Sequence, residues 1–162
     1  MTRWFTGMAL ATTWLAACAT TPAPRQASAS LAGTSWQLVK FQGGDDTMLT
    51  PDDRTRYTIG FGTDGRLSTR IDCNRGSGTW TSAAPGQIQL GLLALTRAMC
   101  PPGSLHDRIV KHWDYIRSYV IKDGHLFLSL MADGGIYEFE PPLSAATSSS
   151  APSNRGATRP QR

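Results

Sequence analysis

Apolar residues recur at every second position through the middle of this chain, a period that fits strands and excludes a helical bundle. Tyr57, Ile59 and Phe61 alternate with Arg56, Thr58 and Gly60; Leu67, Thr69 and Ile71 alternate with Arg66, Ser68 and Arg70; Ile88, Leu90 and Leu92 alternate with Gln87, Gln89 and Gly91. Each set suits a strand with one face buried and the other wet. Thr63-Asp64-Gly65 joins the first two sets as a hairpin turn, since Gly accepts the positive φ that a tight reversal needs. Tyr119-Val120-Ile121 and the run from Leu126 to Leu130 flank Lys122-Asp123-Gly124-His125, and Ala132-Asp133-Gly134-Gly135 leads into the run from Ile136 to Phe139. The domain therefore ends in a three-stranded meander. Trp36 to Phe41 opens the sheet, and Ser77 to Thr81 adds a strand that carries Trp80.

One segment has another period. Leu105, Ile109, Trp113 and Ile116 are spaced by four, four and three, Ser104 stands where a first turn is capped, and Asp107 follows three residues later. With Pro101-Pro102-Gly103 blocking an earlier start, this predicts a helix over Leu105 to Arg117 whose apolar stripe packs on the sheet. The expected fold is α+β and β-rich: about eight mostly antiparallel strands forming a small barrel-like sheet with one packed α-helix.

The ends of the 162-residue chain carry neither period. Residues 1–17 hold one cation, Arg3, then an uncharged stretch from Trp4 to Leu15 and small residues, the pattern of an export signal, and too short to span a bilayer as a helix. Leu15-Ala16-Ala17-Cys18 closes it and resembles the lipobox of bacterial lipoproteins. That resemblance implies diacylglycerol on the Cys18 thiol, cleavage just before it and acylation of the new amino terminus, hence a partner in the lipid bilayer. Acyl chains add about 0.8 kcal/mol per buried methylene, and more than one makes anchoring stable. Ala19 in place of Asp resembles the sorting pattern for the outer membrane, facing the periplasm. Residues 18–30 read as a flexible tether, residues 31–140 as the folded domain, and residues 141–162, with Ser148-Ser149-Ser150, Pro152 and Pro160, as a disordered tail.

Charge narrows the partners. The whole chain is +4, but residues 31–140 contain eleven Lys and Arg against twelve Asp and Glu, so the excess lies in the ends. A nucleic-acid surface needs cations clustered on the folded face, and none is expected here. Of three cysteines, Cys18 is assigned to lipid, which leaves Cys73 and Cys100 as an even pair in an oxidising compartment. A disulfide is the simplest reading. A metal site would need further ligands at short spacing, and His106, His112 and His125 are scattered; a redox pair would usually be closer in sequence.

The opening Leu31-Ala32-Gly33-Thr34-Ser35-Trp36-Gln37-Leu38, the central run from Cys73-Asn74-Arg75 to Trp80, and Thr96-Arg97-Ala98-Met99-Cys100-Pro101 resemble, in order and spacing, the META domain of HslJ-like bacterial lipoproteins. Tyr119-Val120-Ile121 and Leu126-Phe127-Leu128 match its final strands. The resemblance covers nearly all of residues 31–140. It implies a compact β-rich fold, an envelope location and an association with heat shock and antibiotic tolerance, and it names no reaction or cofactor. One departure stands out: the family usually has Gly before Cys-Asn, and here that position is Asp72, which tolerates left-handed geometry better than most residues.

No Gly-x-Ser-x-Gly elbow is present, and Gly60-Phe61-Gly62 lacks the strand-turn-helix setting of a nucleotide loop. Asp45-Asp46 and Asp52-Asp53 read as solvated turns, and Trp36, Trp80 and Trp113 as core. Arg70, Asp72, Asn74 and Arg75 form a polar cluster at the first domain Cys and are the candidate binding site, the competing reading being turn hydrogen bonds held by the crosslink. The expectation is a non-enzymatic, membrane-anchored envelope domain that binds or shields an unidentified envelope protein or ligand. The alternative is an inhibitor of an envelope or foreign hydrolase, presenting a protruding loop best sought between Phe41 and Asp53.

Overall fold

The computed structural model describes residues 30–143. Ten strands appear in chain order: β1 (Thr34–Gln42), β2 (Met48–Leu49), β3 (Tyr57–Phe61), β4 (Arg66–Ile71), β5 (Asn74–Thr81), β6 (Gln89–Leu90), β7 (Ala94–Leu95), β8 (Ile116–Lys122), β9 (His125–Leu130) and β10 (Ile136–Glu140). The helix α1 (His106–His112) lies between β7 and β8. Eight strands follow one another as β6-β5-β4-β3-β1-β10-β9-β8, every pair antiparallel, with β2 added to β1 and β7 to β5. The two outer strands of that series meet: Gln87 bridges Ser118, Ile88 N–H donates to the Arg117 carbonyl at 3.0 Å, and Tyr119 N–H donates to that of Gly86 at 2.9 Å. The sheet thus curls into a nearly closed barrel, which leaves few unpaired edges.

Alternation fills the interior. Tyr57, Ile59 and Phe61 of β3, Leu67 and Ile71 of β4, and Leu126, Leu128 and Leu130 of β9 are all buried, each two residues from the next inward position or one step of that period beyond it. In β1 the parity changes part-way. Trp36 and Leu38 face in, the register against β10 shifts between Leu38 and Lys40, and Phe41 then faces in as well. A bulge of this kind inserts one residue and re-aims the side chains beyond it. The same device in β8, between Ile116 and Ser118, lets Ile116 and Tyr119 both enter the core.

Two expectations from the sequence are corrected. The helix is shorter than Leu105 to Arg117: its α-helical part is His106–His112, a tighter 3-10 turn occupies Trp113–Tyr115, and β8 begins at Ile116. Ile116 reaches the core as the first residue of a strand paired with Leu130, so its agreement with helical spacing is coincidental. Leu92 is not an inward strand residue. Ile88 and Leu90 are buried, but β6 stops after Leu90, Gly91 N–H donates to the Thr79 carbonyl, and Leu92 emerges 92% exposed.

The turns show which positions demand positive φ. Asp123 (53°) and Gly124 (79°) make the β8–β9 hairpin, and Ala132 (52°), Asp133 (52°) and Gly135 (126°) make the β9–β10 connection. Gly135 is the most constrained: a Cβ there would stand 2.5 Å from the Gln42 carbonyl oxygen and 2.7 Å from the Phe41 ring. Gly124 faces open space. Gly124→Ala is therefore expected to cost about 1 kcal/mol, from φ alone, and Gly135→Ala about 3 kcal/mol or more, from φ plus the clash. Paired urea titrations check the difference, and equal midpoints would refute this account of the turn.

Candidate functional site

The polar cluster sits where the β4–β5 hairpin meets the segment that follows β7. Asp72 is the first of two turn residues between β4 and β5, with φ 58°, the left-handed geometry that favours glycine. Its side chain is buried and forms an ion pair with the Arg56 guanidinium, while its N–H donates to the Arg56 carbonyl at 2.7 Å. Arg56 belongs to a 3-10 turn, Arg54–Arg56, so the pair fastens that turn to the hairpin. A carboxylate at this depth persists because a cation meets it. Arg70 Nε donates to the Asp72 carbonyl at 3.1 Å.

Asn74 is equally buried, and it works at full capacity. Its Oδ1 accepts from Thr96 Oγ1 at 2.9 Å and from Ala98 N–H at 2.8 Å, while its Nδ2 donates to the Ala98 carbonyl at 3.0 Å and lies 3.4 Å from each sulfur of the Cys73–Cys100 disulfide. That bond joins Cα atoms 5.4 Å apart and closes 27 residues of sequence separation. On the chain-entropy model such a crosslink stabilises by roughly 3 to 4 kcal/mol. Arg75 differs from its neighbours. Its backbone pairs with Thr96, through Arg75 N–H to Thr96 Oγ1 at 3.0 Å and Thr96 N–H to the Arg75 carbonyl at 2.9 Å, but its exposed side chain has no polar partner among the described residues.

Of the four residues expected to form a binding cluster, three thus direct polar groups into the fold and Arg75 faces solvent. Arg56, Thr96 and Ala98 complete the constellation and were not singled out by sequence. Thr96 and Ala98 fall inside the motif piece from Thr96 to Pro101, and Arg56, an outward position in the alternation around Tyr57, carries no such signal. Cys18 lies outside the described residues.

A second constellation surrounds α1. Tyr57 Oη accepts from Leu105 N–H at 3.1 Å just before the helix, and at its last residue His112 Nδ1 lies 2.9 Å from Tyr137 Oη. Two barrel tyrosines thereby hold both ends of a helix that covers the barrel mouth. Beneath it is an apolar cavity of about 30 Å³ bounded by Ile109, Trp113, Tyr57 and Tyr137 among others, room on the scale of a water molecule or two. Phe41 stacks at a tilt on both His112 and Tyr137, so it is part of the core and not the tip of a protruding loop. Burial holds the His112 imidazole below its ordinary pKa, aided by the charges of Arg108 and Lys111, and burial pushes the Tyr137 phenol well up.

Groups with the makings of chemistry are otherwise committed or apart. Ser104, His106 and Asp107 lie together in sequence, but Ser104 Oγ accepts from the His106 backbone N–H at 3.1 Å and does not reach the ring. His106 Nδ1 is 2.9 Å from Asp107 Oδ1, and its buried Nε2 has no partner among the described residues. Asp45 and Asp53 hold turns: hydrogen bonds from Thr47 and Thr55 keep both carboxyls below their ordinary range. Among the described residues no group of three or more His, Cys, Asp or Glu is placed to hold a metal, and no helix is long and apolar enough to cross a membrane.

The model of the META domain matches residues 29–141, most of the chain. The protein belongs to the META domain family. Among solved structures, an NMR structure of a protein from Burkholderia xenovorans has a TM-score of 0.60 at 21% identity, over 70% of this chain and 84% of that one. A DUF4847 family protein from Bacteroides vulgatus has a TM-score of 0.50 at 16% identity, over 68% and 93% of the two chains. Both likenesses are likenesses of fold. No curated protein matches the chain. In this META domain the left-handed position 72 carries a carboxylate, and its side chain gains Arg56 as a partner.

Two outcomes follow from these environments. Asn74→Ala leaves the Ala98 amide and carbonyl without partners and should lower the unfolding free energy by about 2 to 3 kcal/mol. Arg75→Ala should change it by no more than about 0.5 kcal/mol, and chemical denaturation of the oxidised protein distinguishes them. For His112, whose folded pKa is depressed, the unfolded chain takes up a proton around pH 6.5 while the folded one resists it. Stability should be fully present above that pH and decline as pH falls through the folded-state value, and a His112→Gln variant should lack this component between pH 7 and 4. An unchanged pH slope in that variant would remove His112 as its source.

Proposed function

We propose that this protein is a membrane-anchored envelope lipoprotein whose HslJ-like META domain has a non-enzymatic binding role connected with stress or antibiotic tolerance. The observation that carries the reading is the Cys73–Cys100 disulfide. Structural disulfides persist in oxidising compartments and are rare in a reducing cytosol, and the chain carries Leu15-Ala16-Ala17-Cys18 at the close of an apolar stretch, the arrangement that leads to acylation outside the cytosol. Crosslink and lipobox point to the same place from independent parts of the chain. The outer membrane, facing the periplasm, follows from Ala19 after the acylated Cys18.

The binding role is favoured over catalysis by how the polar groups are used. Asp72 and Asn74, the buried polar residues nearest the crosslink, are engaged with Arg56, Thr96 and Ala98, and in the grouping of Ser104, His106 and Asp107 the serine oxygen accepts from the His106 backbone N–H and makes no hydrogen bond to the imidazole. A hydrolase needs a nucleophile within hydrogen-bond reach of its base.

Expression in a host carrying an alkyne fatty acid should label the protein and leave it in the membrane fraction, and Cys18→Ser should abolish the label and retain the unprocessed precursor. A wild-type protein that takes no label and fractionates with the cytosol would end the reading. Photocrosslinking in the intact envelope should then attach a second component to the domain, while panels of ester, phosphate and peptide substrates should show no turnover.

A further inference from the structure

The strand β7 has one edge paired and the other open. Ser77 pairs with Ala94 and Gly76 with Leu95, Thr96 N–H donates to the Arg75 carbonyl, and both backbone groups of Ala98 bond to the Asn74 amide. In an antiparallel ladder alternate residues turn their N–H and C=O toward the neighbour, and those between turn theirs away. Ala94, Thr96 and Ala98 are the inward set here. Leu93, Leu95 and Arg97 therefore direct their N–H and C=O groups outward, with no strand beyond them among the described residues.

Beside this edge runs an open groove of about 720 Å³, formed by residues 93–99 and His106. The buried Nε2 of His106, which has no partner among the described residues, borders it. Met99, 97% exposed, and the exposed Arg97 line the groove, and Arg75 lies one strand in, on β5 opposite Thr96; neither arginine has an ion-pair partner among the described residues.

We infer that the outer edge of β7 is a docking site for an extended acidic peptide of a partner protein, which adds a strand through Leu93, Leu95 and Arg97, places apolar side chains on the face of Leu95 and Met99, and turns its carboxylates to the opposite face, which carries Arg75, with Arg97 adding to the positive field of the edge. The open ladder requires an extended backbone as its complement, the mode known as strand addition. The cations set the sign of the partner. They also disfavour a second copy of this chain, which would bring Arg75 and Arg97 toward their own counterparts. The edge is short, two residues of regular strand, and carries a charge, both of which disfavour pairing of like edges; the groove and the exposed methionine beside it give an added strand contacts for its side chains. This deepens the binding role proposed above and does not depend on the lipid.

The test uses the purified oxidised protein with isotope-labelled backbone amides and a blocked five-residue peptide that alternates valine with aspartate. Titration should shift the amides of Leu93, Leu95 and Arg97 and slow their hydrogen exchange. The same peptide with N-methylated amides on its pairing edge, or with lysine replacing aspartate, should bind at least tenfold more weakly. The double variant Arg75→Glu, Arg97→Glu should lose the acidic peptide and gain the lysine peptide, with its thermal midpoint and disulfide unchanged. No shift at millimolar peptide, shifts centred elsewhere, or equal binding of both charges would overturn the inference. Photocrosslinking of an envelope component through another face, with the β7 edge silent, would overturn the edge and leave the binding role standing; peptide binding at the edge in a protein that proves unlipidated would do the reverse to the envelope assignment.

Discussion

Asn74 and the crosslink beside it govern how the irregular part of this barrel is held. Between β6 and β8 the chain runs through a long stretch with a two-residue strand, a seven-residue helix and a 3-10 turn, and little of it follows from local propensity. Cys73–Cys100 fixes one point of that stretch, and Asn74 fixes the residues just before it through three hydrogen bonds to Thr96 and Ala98. The covalent bond limits how far the strap can travel, and the amide decides its register. Once Cys100 is placed, Leu105 arrives at Tyr57 and α1 is set down over the barrel mouth with His112 at Tyr137. The order of these contacts along the chain is a chain of dependence: a helix of seven residues is too short to persist on its own in water, so its position is inherited from the strap.

The regular strands were legible because one physical fact, burial on one face, writes itself into every second residue. That holds for β3, β4, β9 and β10, and for the turns where Gly65 and Gly124 adopt positive φ. The errors came where a second constraint interrupts the period. Leu92 continues the alternation of Ile88 and Leu90 in sequence, but the chain leaves the ladder at Gly91, whose carbonyl accepts from Trp113 Nε1 at 3.0 Å, so the next side chain has no wall to meet. Ile116 fits a helical spacing and a strand equally well, and only its pairing with Leu130 decides between them. The bulges in β1 and β8 are silent for the same reason: a parity change looks like a lapse in the pattern until the partner strand is known.

The polar cluster was legible as a place and not as a set of roles. Four residues near Cys73 could be named, but nothing local tells that Asp72 meets Arg56 sixteen positions earlier or that Asn74 meets Thr96 twenty-two positions later. Those partners are supplied by the hairpin and the crosslink. Asp72 is instructive because the backbone demand and the side-chain demand are separate. The left-handed φ would be met most cheaply by glycine, and the carboxylate is tolerated there because it lands against a guanidinium that also spans to Asp52 at 3.8 Å.

Crosslink and docking edge are physically one device. Thr96 and Ala98 are held against β5 by Asn74 with the disulfide at its back, both sulfurs lying 3.4 Å from its amide nitrogen, and the edge proposed to receive a strand depends on that hold. A reduced chain would still bury most of its β-sheet core, since Leu38, Phe61, Leu126 and Leu128 owe nothing to the strap. It would lose the register of residues 93–99 first, because in that segment Leu93 and Leu95 alone pack on the core while the other residues are exposed, and such a segment opens at low free energy. The proposed edge would therefore lose its register on reduction before the barrel loses its core.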